Sequence, residues 1–180
     1  MDFKNYSTHA KELGIGGNGY YKLEEGENKV RIVSHAEPSI SHFVNKQAIY
    51  CPQTEDCAYC KENVKKTYRV LVYVVDRKDE EVKLAELPWS VFKAIGELAN
   101  SSDYGFEGLP PFDLVIKRTG EGLETRYSLL PGRNDKPISQ EQESALKSKK
   151  PLTEIIGERL AKSQVADFQG YVEDKDAFPL

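Results

Sequence analysis

The sequence predicts a mainly β chain of the α+β class, on three observations. Five short stretches carry the alternation or β-branched density of strands: residues 20–34, 67–76, 82–87, 112–118 and 123–130. One apolar helical repeat, 89–100, falls among them, between the third and the fourth. Two amphipathic segments, about 139–149 and 152–168, follow the last strand. Strand, insertion, strand, strand, helix, strand, strand is the order of a five-stranded OB-fold barrel, here with an insertion after the first strand and helices at the C-terminus. A ferredoxin-like fold requires two helices within the strand series. A dinucleotide fold requires a strand before and a helix after its glycine loop, and Gly14-Ile15-Gly16-Gly17-Asn18-Gly19 has neither.

The elements follow from their residues. Residues 20–34 read as two strand pieces around a Glu25-Gly26-Glu27-Asn28 turn, with apolar Val30 and Ile32 alternating with Lys29 and Arg31. Residues 34–66 are polar, contain all three cysteines and show no long period. Residues 67–76 (TYRVLVYVVD) are nearly continuous in apolar character, as a central strand requires. A charged turn at 77–81 returns the chain to residues 82–87. Pro88-Trp89-Ser90 opens the helix, in which Val91, Phe92, Ile95, Leu98 and Ala99 hold helical spacing, and Trp89 reads as core. Thr119-Gly120-Glu121-Gly122 joins the last two strands as a hairpin.

Composition limits the function. The chain has 180 residues, enough for one domain with tails. No apolar run approaches the roughly 18 residues of a membrane helix, and Met1 to Ala10 lack a basic-then-apolar signal pattern, so the expectation is a cytoplasmic, non-secreted protein with no membrane partner. A formal charge of -4 argues against a chain that is basic throughout, but not against a local basic groove. The charge is uneven: from residue 151 on there are six acids (Glu154, Glu158, Asp167, Glu173, Asp174, Asp176) against three bases (Arg159, Lys162, Lys175).

His42, Cys51, Cys57 and Cys60 are spaced H-x8-C-x5-C-x2-C. In a reducing compartment such clustering points to a metal rather than to disulfides. A C-x2-C pair can grip one tetrahedral ion from a single turn, and a third thiolate and an imidazole complete a structural zinc site. His35 is a rival to His42 for the fourth position, and His9 lies too far into the N-terminal arm. Four protein ligands leave no place for a reactive water, so the expected cofactor is one structural zinc ion that folds the polar insertion.

A basic and aromatic pattern runs through the predicted strands. Arg31 lies on the first strand; Lys61, Lys65, Lys66, Tyr68, Arg69, Tyr73 and Arg77 flank the central one; Lys117, Arg118, Arg126 and Tyr127 lie on the last hairpin. Single-stranded nucleic acid is bound by this mixture, cations tracking phosphates and aromatic faces stacking on bases. No nucleophile–base set and no acidic two-metal cluster is evident, so the expectation is a binding protein and not an enzyme.

The sequence resembles the single-stranded DNA-binding (helix-destabilising) proteins of tailed bacteriophages that carry zinc in an OB-fold. The likeness rests on the opening strand from Tyr21 to Ile32, on His42 to Cys60 followed by Thr67-Tyr68-Arg69-Val70-Leu71-Val72, and on Tyr104-Gly105 followed by residues 112–127. Together these span about residues 20–135. The resemblance implies a sequence-nonspecific protein that protects and organises single-stranded DNA in DNA replication, recombination and repair. It implies zinc on Cys51, Cys57, Cys60 and His42, a basic arm for self-association on DNA, and an acidic tail that recruits replication and recombination proteins. The layout it suggests is an arm over 1–19, a core over 20–135 with a zinc subdomain at about 35–66, a helical segment over 136–170 and a short acidic tail over 171–180. This arm holds only Lys4 and Lys11 as bases. The rival reading is a zinc-containing interaction module of a replication or transcription complex that does not touch DNA.

Overall fold

The computed structural model describes residues 19–133 and 136–175, with side chains as far as Ser163. The expected arm, apart from Gly19, and the last five residues of the expected tail lie outside the described residues. The elements are β1 (Tyr20–Tyr21), β2 (Gly26–Ile32), β3 (Glu37–Val44), β4 (Gln47–Tyr50), α1 (Ala58–Lys61), β5 (Lys66–Asp76), β6 (Glu81–Pro88), α2 (Trp89–Ala99), β7 (Leu114–Thr119), β8 (Arg126–Pro131), α3 (Gln140–Lys147) and α4 (Leu152–Lys175). The chain is therefore mainly β with a few helices, as the sequence predicts. None of the described helices is long and apolar enough to cross a membrane.

The strands form one mixed sheet of eight. Its order is β1-β6-β5-β2-β7-β8, with β3 paired to β4 and β5. β1 runs parallel to β6, while β2 is antiparallel to both β5 and β7, and β7 to β8. The path is open, running from β1 to β8, whereas the sequence suggests a closed five-stranded barrel. The five expected strands are all present, as the run β6-β5-β2-β7-β8. What differs is that β1 occupies the far edge of β6.

Two compact units divide the chain. Among the described residues, the first comprises 19–36, 71–133 and 136–149, the second 37–70 and 150–175. The apolar core lies in the first. Val30, Leu71, Val72, Val74, Val75, Leu87, Val91, Leu114 and Ile116 are fully buried there. Continuous burial from Val70 to Asp76 explains the unbroken apolar run of β5. In the second unit α4 packs on β3 and β4. Ser163 accepts a hydrogen bond from the Tyr50 amide at 2.8 Å, and the Arg159 guanidinium lies 5.0 Å from the centre of the Tyr50 ring.

Four local expectations are corrected. Residues 25–28 are not a turn, since β2 begins at Gly26. Asn28 is buried and replaces the turn's own bonds: its amide donates to the carbonyls of Glu24, Gly26 and Ile116, and its oxygen accepts from the Glu24 amide and the Tyr21 hydroxyl. Residues 34–66, expected as an insertion outside the five strands, contain two further strands, because β3 and β4 form a tight hairpin. Asn45 and Lys46 take φ of 48° and 65°, the left-handed pair of a two-residue hairpin loop. The final strand starts at Arg126, after a 3-10 turn at Gly122–Glu124, where Gly120 is required: at φ +76° an added Cβ would lie 2.5 Å from the Glu124 carbonyl oxygen. Finally, α4 continues to Lys175 and takes in part of the segment expected as a tail.

Candidate metal centre and nucleic-acid interface

The hairpin and the short helix α1 bring four ligand atoms together in the second unit. Cys51 follows β4, and its amide donates to the Ile40 carbonyl at 2.9 Å. Cys57 is the residue before α1 and Cys60 lies within it, so the two sulfurs leave one helical turn on the same side. His42 projects from β3 and is completely buried.

The distances fit a single ion. Cys51 Sγ lies 3.8 Å from Cys57 Sγ and 3.5 Å from Cys60 Sγ, and His42 Nε2 lies 3.6 and 3.5 Å from the sulfurs of Cys57 and Cys60. All four ligand atoms fall within 4.8 Å of one another. Tetrahedral metal–sulfur bonds of about 2.3 Å and a metal–nitrogen bond of about 2.0 Å put sulfurs about 3.8 Å apart and nitrogen about 3.6 Å from sulfur. The cluster can therefore hold one metal ion. His35 is exposed and takes no part in it.

The surroundings set the donor states. His42 Nδ1 lies 3.0 Å from the Val64 carbonyl oxygen, which can only accept, so Nδ1 carries a proton and the ring is held with Nε2 toward the sulfurs. The Gln53 amide points at Cys51 Sγ at 3.4 Å. Burial pushes the Cys51 thiol up to about 11. Burial acts the same way on Cys60, but there bonds from Cys51, Cys57, His42 and Lys66 outweigh it and bring the thiol down to about 7. A metal at this site would take the place of the thiol protons, so its binding would release them.

The residues expected to contact nucleic acid divide into two groups. Lys61, Lys65, Tyr68 and Arg69 are exposed in the second unit, and Tyr68 remains 49% accessible. Lys66 is half-buried. In the first unit Lys117 and Arg126 are exposed, while Arg118 and Tyr127 are half-buried and face each other across the β7–β8 ladder. Arg118 also donates to the Leu23 carbonyl at 3.1 Å.

Arg31, Tyr73 and Arg77 are corrections. Tyr73 lies in the buried part of β5, so its ring is core. Arg31 and Arg77 converge on Asp113, a carboxylate with 1% of its side chain exposed. Arg31 Nε donates to Asp113 at 2.8 Å, and Arg77 donates through Nε and Nη2 at 3.0–3.2 Å. Arg31 also donates to the Pro111 carbonyl at 2.9 Å, and Arg77 to Glu80 at 2.9 Å. Gln142 of α3 donates to the same Glu80 carboxylate, which joins α3 to the network. Their charge is spent inside the first unit. Alternation along a strand shows that a cation and its neighbour face opposite ways, but not which of them meets a buried acid.

Trp89 is a correction of the opposite kind: it is 51% exposed and leans on Phe92, ring centres 5.3 Å apart. The core side of α2 is taken instead by Val91 and Ile95. No family model, curated protein or solved structure matches the chain.

Proposed function

We propose that the protein binds single-stranded DNA without sequence preference and carries one structural zinc ion in the His42, Cys51, Cys57, Cys60 cluster. One nitrogen and three sulfurs at tetrahedral spacing are a donor set that zinc favours, and four protein ligands leave no position for a reactive water. The zinc then stabilises structure and performs no chemistry.

The observation that carries the DNA reading is the divided character of β5. Val70 to Asp76 are buried, whereas the residues just before them, Lys65, Thr67, Tyr68 and Arg69, are exposed immediately after the metal loop. Arg69 and a half-exposed Tyr68 on the start of this strand, with Lys65 just before it, offer phosphate contacts and a stacking face. Within the first unit, exposed Lys117 and Arg126 of the β7–β8 hairpin are separate candidates for phosphate contact. An OB-type barrel is the architecture this reading assigns to the first unit. The run β6-β5-β2-β7-β8 has that fold's strand order, and α2 packs on both β6 and β8, the strands such a barrel would bring together. By the resemblance, the role is the coating of transient single strands in phage replication, recombination and repair.

A second reading rests on Phe43, which is 66% exposed next to ligand His42 and suits a protein-binding knuckle. Titration of fluorescent oligo-dT at two salt concentrations separates the two. DNA binding predicts a rise in anisotropy that weakens with salt. No rise at low salt would reject it in favour of the interaction module. Labelled single strands incubated with magnesium should stay intact.

A further inference from the structure

Trp89 is held in place without being buried. Val91 and Ile95 anchor α2 in the core of the first unit, with 1% and 8% of their surfaces exposed. Trp89, Phe92, Lys93 and Gly96 fall at helical spacing on another side of the helix. The rings of Trp89 and Phe92 are tilted by 43° with centres 5.3 Å apart. The indole is therefore backed by a second ring, and it stays 51% accessible. Its backbone is fixed as well, since Pro88 precedes it as the N-cap at φ -57°. This side of α2 is open beyond the two rings: Lys93 is exposed, and a Cβ added at Gly96 would meet nothing within 4 Å.

A protein surface and a nucleobase can both cover an indole, and area decides between them. Trp89 is the one exposed large hydrophobic residue of α2. Half an indole offers on the order of 100 Å², far short of the about 800 Å² per partner of a stable protein interface. A base needs only the face of the ring, and every base has such a face. Lys93 supplies a cation one turn from Trp89. Its pair with Glu97 at 3.5 Å joins side chains 69% and 66% exposed, a contact that is weak in water and leaves the ammonium open to a phosphate. We infer that Trp89, backed by Phe92, is a stacking platform for a base of single-stranded DNA, with Lys93 beside it for the backbone. This rests on the DNA reading above, and it gives the first unit a contact to bases that its exposed cations Lys117 and Arg126 cannot make.

Trp89 is the only tryptophan in the chain, so indole emission reports on this ring alone. The test titrates the full-length chain with oligo-dT at low salt, following the anisotropy of labelled oligonucleotide in one series and indole emission with unlabelled oligonucleotide in another. Emission should be quenched over the same range in which anisotropy rises. Trp89→Ala should weaken binding by about 5- to 140-fold, the effect of removing one stacked base, and Trp89→Phe should retain most of the affinity. Indole emission that does not change while anisotropy rises would overturn the inference and leave Trp89 to a protein partner. This arm uses the wild-type chain and does not depend on how the variants fold. Wild-type affinity in a folded Trp89→Ala chain would also overturn the inference. No rise in anisotropy with the wild-type chain would overturn the DNA reading itself, and this inference with it.

Discussion

Replacement of Asp113 by Asn tests whether the buried arginines hold the fold together. Asp113 is 1% exposed in its side chain, Arg31 8% and Arg77 5%, so none of the three can turn to water without the first unit opening. Asn keeps the shape but removes the charge, leaving two guanidinium groups buried with Glu80 as the nearest acid of the network. Breaking a buried ion pair by removing one partner costs about 3–5 kcal/mol. With a urea dependence of about 2 kcal/mol per molar, the unfolding midpoint should drop by about 1.5–2.5 M. The assay is urea denaturation at neutral pH, followed by far-UV circular dichroism. The pH dependence provides a second reading. Burial alone would raise the Asp113 carboxyl, but hydrogen bonds from Arg77 and Arg31 outweigh it and hold the group below the usual range. A carboxyl depressed in the folded state stabilises fully above its unfolded value of about 3.9, and that stability is lost as pH falls through the lower folded value. Wild type should therefore lose stability below about pH 4, and Asp113→Asn should lose less over the same range. A midpoint within about 0.3 M of wild type would refute the reasoning, since it would mean that the guanidinium groups reach solvent.

Other outcomes follow from the same placements. Chelation, or Cys57→Ser, should expose residues 37–66 to protease while the first unit stays resistant, as mapped by limited proteolysis and mass spectrometry. Tyr68→Ala should weaken oligo-dT binding by about 1–3 kcal/mol if its ring stacks on a base, measured by anisotropy. Tyr73→Ala should instead cost about 3–5 kcal/mol of folding stability, by analogy with other buried aromatic truncations. Arg69→Glu and Lys117→Glu should weaken binding to all sequences alike, each flattening the slope of log affinity against log salt by at least about 0.7.

How much of this the sequence discloses depends on whether a residue's partner is near in the chain. The strand at 67–76 and the helix from Trp89 are legible because their periods are local. The ligands are legible because three cysteines fall within ten residues and because thiolates and imidazole have few other reasons to cluster. The β3–β4 hairpin is hidden, since its buried positions are Ser39, Ser41 and His42 and no apolar alternation can mark them. Arg31 and Arg77 are misread for a related reason. Their partner Asp113 is 82 residues from one and 36 from the other, so only the fold brings them together.

The two units also differ in what can fold them. Among the described residues, the buried apolar side chains of the second unit are Cys51, Cys57, Val70 and Leu152; its other buried groups are Ser39, Ser41, His42 and Ser163. Two of those four apolar residues are themselves ligands. The valine, leucine and isoleucine core belongs to the first unit, whose burial can offset the entropy of ordering its chain. Among its described residues the second unit has no comparable store, and its hairpin is too short to be stable alone. A metal on His42 and the three cysteines would supply what is missing, because its binding energy would appear as local folding energy. The exposed strand end Lys65 to Arg69 begins one residue after Val64, the carbonyl that fixes His42. Metal content should therefore govern the order of the segment proposed to meet DNA, through a backbone connection of a few residues and without any direct contact between metal and nucleic acid.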